Sequence, residues 1–201
     1  MSETSVSQSN FANLAAVAWT VVPSAWGLST LLYDDGGGDG FTFLGVLGWA
    51  ALVAAGVFTM LAMLKVNALP GREGFRKAGL IALGLGILVT VPMFWAVPVW
   101  AGLYAVAMIL FAVATPRVRT ATLVIAGAMV LGVASLFILT ALKVGTPDPT
   151  YGDYPVAWTT AFTVAAAGAA IGNVLIARSR APWTRSVGGR AASENDMATA
   201  D

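Results

Sequence analysis

The chain has 201 residues, of which 58% are hydrophobic and 10% charged, with a formal net charge of +1. Soluble domains carry about 25% charged residues, so this composition excludes an ordinary soluble domain. It contains no Cys and no His, which removes disulfides, thiolate chemistry, and the commonest metal ligand and general base.

Apolar runs longer than about 18 residues recur along the chain, the mark of a polytopic membrane protein. The expected fold is all-α, a six-helix transmembrane bundle filling residues 11–177. A cytoplasmic N-terminal tail covers 1–10. It lacks Lys and Arg, and the apolar run after it is too long for a signal-peptide core, so the first segment reads as a retained helix.

The first span is expected over 11–32, with Pro23 producing a kink near Trp19. Tyr33-Asp-Asp-Gly-Gly-Gly-Asp-Gly40 follows as a solvent loop, because glycine runs oppose helix and three carboxylates do not enter hydrocarbon. The second span covers 41–66, with Lys65 snorkelling at its end. A basic loop carrying Arg72, Arg76 and Lys77 leads into the longest apolar stretch.

From Ala78 to Pro116 there is no Lys, Arg, Asp, Glu or His. One helix of that length would be about 60 Å long, twice the hydrocarbon thickness. Pro92 and Pro98 sit near its middle and basic residues flank both ends. The stretch therefore reads as a hairpin of two spans, 78–94 and 97–115, turning at Pro92 to Trp100.

A fifth span is expected over 121–142 and a sixth over 156–177, with a polar loop between them. The tail 178–201 is hydrophilic and expected to be disordered. Lys65, Arg72, Arg76, Lys77, Arg117, Arg119 and the tail arginines then share one side. Asp34, Asp35, Asp39, Asp148 and Asp153 share the other with Lys143. By the positive-inside rule both termini are expected to be cytoplasmic, and the Ala/Gly/Val-rich composition is associated with a prokaryote, hence a prokaryotic plasma membrane. No residue-level self-similarity supports three-plus-three or three-hairpin repeats.

Chemistry-bearing residues are sparse. No Asp, Glu, His or Arg is expected within a span, which argues against a proton-coupled pump or a voltage sensor. There is no G-x-S-x-G, Walker A or H-E-x-x-H motif, and no catalytic centre or cofactor is expected. Asp34, Asp35 and Asp39 are weak candidates for a Ca²⁺ or Mg²⁺ loop. Their spacing departs from an EF-hand, and a solvated acidic linker that enforces topology is the better explanation.

Aromatic residues crowd the outward half. They read either as an interfacial belt or as an outward pocket for an apolar or cationic ligand, lined by Trp26, Trp49, Trp95, Trp100 and Trp158. Gly168-Ala-Ala-Ile-Gly172 is a GxxxG sequence, and Ala82/Gly86 and Ala128/Gly132 are similar pairs. Small residues let helix backbones approach, here to pack the bundle internally. Asn173 needs hydrogen-bond partners from a neighbouring helix, or water if it lies at the interface.

Two functions fit these features. One is an accessory or scaffold component binding membrane lipids, a membrane protein partner or a second copy. The other is a small transporter or facilitator for a neutral or apolar solute. Nucleic-acid binding is not expected, since no basic patch interleaved with aromatics occurs.

Overall fold

A computed structural model describes residues 3–32, 43–93, 96–145 and 154–179, apart from the side chains of 3–7 and 27–32. The described residues form six α-helices and no strand: α1 (Glu3–Leu32), α2 (Phe43–Leu64), α3 (Glu73–Thr90), α4 (Val97–Ala114), α5 (Arg119–Ala141) and α6 (Pro155–Arg178). A 3₁₀ turn, Pro116–Val118, joins α4 to α5.

Sequential helices pack side by side, and α6 returns to α1, closing a ring. Short connections between them impose an up-and-down order. The seam between α2 and α3 is the loosest in the ring.

The charge-free stretch divides where the prolines dictate. Pro92 comes just after Val91, the C-cap of α3, and Pro98 occupies the first turn of α4. A proline at the start of a helix loses no intrahelical bond, whereas one in the interior does. Pro23 is the contrasting case: α1 continues through it. There Ser24 donates its hydroxyl to the Thr20 carbonyl at 2.8 Å.

Two helices start earlier than their apolar patterns indicate. α1 is helical from Glu3, and α3 from Glu73, so Arg76 and Lys77 belong to the first turns of α3 rather than to a loop. Hydropathy marks where a helix becomes apolar, not where its hydrogen-bond ladder begins. Among the described residues, four helical segments are long and apolar enough to cross a membrane: 43–64, 97–114, 116–141 and 155–178. α1 and α3 fall outside that group, α3 because charged residues occupy its first turn and a half.

Away from a set of buried aromatic and long aliphatic side chains, many alanines face inward while large aliphatic residues face outward. Ala12, Ala15, Ala55, Ala107, Ala157 and Ala169 are fully buried, while Ile81, Leu88, Val130, Leu131, Phe137 and Ile171 are exposed. A water-soluble bundle does the reverse. This inversion is the membrane pattern, where lipid solvates the large side chains and close backbone approach holds the helices together.

The α5/α6 seam shows the approach in detail. A Cβ on Gly132 would stand 2.8 Å from the Ala161 carbonyl oxygen. One on Gly168 would overlap the Ala128 methyl, and one on Gly172 would overlap Ile125. The two small-residue motifs of α5 and α6 thus interlock with each other's helix within one chain.

Candidate functional site: an aromatic column through the bundle

Side chains from helices that are not neighbours in the ring meet in its interior. Phe162 of α6 is the first junction. Trp26 of α1 meets it edge-on with centroids 4.2 Å apart. Trp100 of α4 stacks on it at 5.9 Å and Trp158 of α6 at 6.3 Å. Trp100 then meets Tyr104 edge-on at 6.1 Å, and Tyr104 meets Trp19 of α1 edge-on at 6.0 Å. Offset and edge contacts of this kind are the favourable arrangements for aromatic quadrupoles.

The column ends in a polar knot. The Trp19 Nε1–H donates to Thr59 Oγ1 of α2 at 3.4 Å. Asn173 Nδ2 of α6 donates to the same oxygen at 3.3 Å and to the Ala169 carbonyl at 2.9 Å. The Thr59 hydroxyl gives its own hydrogen to the Ala55 carbonyl at 2.7 Å. One donor and two acceptor positions are all a hydroxyl has, so Thr59 is saturated and ties three helices together.

Tyr104 seats itself against two glycines. A Cβ at Gly56 would collide with its hydroxyl, and one at Gly86 would lie 2.8 Å from its ring. Any other residue at either position displaces the ring. Trp19, Trp100, Tyr104, Thr59 and Asn173 are all essentially inaccessible to solvent.

Three polar atoms among the described residues are buried without a partner: the Tyr104 hydroxyl, Asn173 Oδ1 and Arg76 Nε. The first two have opposite hydrogen-bonding sense, since the phenol has a hydrogen to give and the amide oxygen only accepts.

Of the five tryptophans proposed to line an outward pocket, Trp26, Trp100 and Trp158 converge, and Phe162 occupies the space between them. Trp100 is fully buried, so it belongs to the interior and not to an interfacial belt. Trp49 is half-buried and takes no part in these ring contacts. Trp95 lies outside the described residues, as do Asp34, Asp35 and Asp39.

Asn173 is 0% exposed and bonded to another helix, so the interfacial-water alternative does not hold. Tyr104 was the residue sequence reasoning passed over. Its signal was a phenol near the middle of an apolar span, far from any interface where a tyrosine belt would place it.

A second set of contacts organises the bundle end that carries the arginines. Arg72 Nη1 donates to the Val113 carbonyl at 2.8 Å, and the Leu69 N–H donates to the Ala114 carbonyl at 3.0 Å. Arg117 Nε donates to the Ser179 carbonyl at 2.8 Å. Carbonyls at a helix C-terminus lack intrahelical partners and carry partial negative charge, so cationic donors suit them. These arginines therefore cap α4 and α6.

Among the described residues no group of three His, Cys, Asp or Glu converges. Comparison of the chain with protein-family models, with curated proteins and with solved structures found no match. The class that the architecture defines is a helical, multi-pass membrane-type protein.

Proposed function

We propose that the protein is a six-span, non-catalytic component of the prokaryotic plasma membrane with both ends cytoplasmic, serving as a scaffold or accessory subunit that binds lipid or a protein partner. The observation that carries this reading is the side-chain packing across the interior of the described residues. The aromatic column from Trp158 to Trp19 and the Thr59 knot occupy the space a conduit needs, and every titratable group of the column is a phenol buried among apolar side chains.

Packing supports six crossings rather than four. α3 lies along α4, with Gly79 facing Ala107 at one level and Gly86 facing Tyr104 at another. α4 has 18 residues and is about 27 Å long, enough to cross hydrocarbon. A helix that accompanies it along its length crosses too, with Arg76 and Lys77 reaching back to the headgroups. α1 is held in the same way between α2 and α6.

The test has two arms. Affinity purification in mild detergent is expected to retain a stoichiometric membrane partner or a second copy. Proteoliposomes of the purified protein are expected to show no more solute flux than protein-free vesicles. The second reading, a facilitator for a small neutral solute, draws on the unpartnered Tyr104 hydroxyl and Asn173 Oδ1, which a polar solute would satisfy. Saturable flux by the protein alone establishes that reading and removes the first.

A further inference from the structure

A groove of about 430 Å³ runs along the outer side of the α1/α6 seam. Ala16 and Ala170 form its floor, Val17 and Ile171 its rims, Val174 its middle, and Arg178 closes one end. The floor is buried, while the rims and Arg178 are exposed. Thr20 also lines it, but its hydroxyl hydrogen is committed to the Val17 carbonyl at 2.7 Å, so the wall offers no free donor.

Arg178 is the last helical residue of α6, where a cation would ordinarily be spent on the terminal carbonyls. Here two carbonyls at that end already have other donors. Ser179 donates its hydroxyl to the Ile176 carbonyl at 2.7 Å, and Arg117 takes the Ser179 carbonyl. Among the described residues Arg178 makes no hydrogen bond or ion pair. Its five N–H donors stand free at the end of an apolar trough, with the Arg117 guanidinium anchored at the same helix end.

We propose that this groove seats an anionic phospholipid, with one acyl chain between α1 and α6 and the phosphate diester held by Arg178. A guanidinium presents paired donors that match phosphate oxygens, and it is weakly hydrated enough to do so at an interface. The trough commits the site to a lipid rather than to free phosphate, because an inorganic anion uses Arg178 and none of the apolar wall. The volume lies in the range of small-molecule pockets. A partner helix is a poorer match, since the projecting Val17 and Ile171 rims hold a second backbone away from the alanine floor. This assignment rests on the membrane reading above and names the lipid class it involves.

The experiment uses the full chain in nanodiscs of phosphatidylcholine with increasing phosphatidylglycerol, read by lipids retained in native mass spectrometry and by melting temperature. The wild type is expected to retain phosphatidylglycerol in preference to phosphatidylcholine. Arg178→Gln is expected to lower that preference roughly five-fold, the effect of one basic residue near an anionic surface. Val174→Trp, which lays an indole in the trough, is expected to reduce retention of both lipids. Ile81→Ala, exposed on α3 away from the groove, is expected to keep the wild-type preference.

An unchanged preference in Arg178→Gln overturns the site, as does full retention in Val174→Trp. Stabilisation by inorganic phosphate alone, equal to that by phosphatidylglycerol, overturns the lipid assignment. Loss of a co-purifying protein from Arg178→Gln with lipid retention intact reassigns the groove to that protein. A wild type that inserts and melts cooperatively without lipid preference sinks this proposal alone. Failure to insert at all sinks the membrane reading beneath it.

Discussion

Lys143 stands at the end of α5 with φ of +52°, in the left-handed region that favours glycine. Its position explains why. The Val144 N–H reaches back to the Leu139 carbonyl at 3.0 Å and the Lys143 N–H to Thr140 at 3.1 Å, the paired bonds of a Schellman ending with Lys143 in the slot usually held by glycine. A side chain in that conformation costs about 1–2 kcal/mol. Lys143→Gly is therefore expected to raise unfolding stability by roughly 1 kcal/mol, measured as an increase in melting temperature in detergent. A decrease would show that the Lys143 side chain holds a contact outweighing the strain. Tyr104 is the other residue out of balance with its surroundings. A buried polar group without a partner costs about 1–3 kcal/mol, and Tyr104→Phe removes the unpartnered hydroxyl while leaving both edge contacts to Trp19 and Trp100 in place. The expected result is equal or higher thermal stability. A clear fall would reveal a bound water or solute that satisfies the phenol.

At the scale of helices, the bundle depends on absent side chains. Gly168 and Gly172 sit where a Cβ would overlap Ala128 and Ile125, so Gly168→Ile and Gly172→Ile force α5 and α6 apart. Overpacking of this sort costs about 1–3 kcal/mol at each site. The measurement is melting of the detergent-solubilised monomer, which should drop for either variant. Unchanged melting with loss of a dimer would place the motif at an interface between copies. The motif was legible in the sequence because small residues four apart need no tertiary information to be noticed. Its partner helix was not, because the choice among five others is made by the ring. The same limit applies to the column. Trp26, Trp100 and Trp158 were grouped by their position along the spans, which is readable. That Phe162 stands between them, and that Trp19 and Tyr104 continue the chain of contacts, depends on helix rotation, which spans that are apolar nearly all round leave unspecified. Asn173 was singled out because an amide in hydrocarbon requires a partner. That the partner is Thr59, 114 residues away, is set by the ring closure.

For the whole molecule, the central question is how many helices cross, and the absence of cysteine makes it directly measurable, since any introduced thiol is the sole reactive one. Leu69 and Met93 flank α3, and both are exposed. The Leu69 N–H is tied to the carbonyl of Ala114 at the far end of α4, whereas Met93 lies beside the start of α4. If α3 crosses with α4, Leu69→Cys and Met93→Cys lie on opposite faces of the membrane. A membrane-impermeant maleimide applied to intact cells is then expected to label Met93→Cys, and to label Leu69→Cys only after the membrane is opened. Val144→Cys, at the end of α5, should behave as Met93→Cys does. Were α3 to lie flat on one face, Leu69→Cys and Met93→Cys would label together. Such a result would leave at most five spans and require α3 to leave its place beside Tyr104. The charge distribution alone argues for the first outcome through Arg72, Arg76 and Lys77. The packing argues for it independently, because the Arg72 guanidinium caps α4 only if the loop before α3 stays at the far end of that helix.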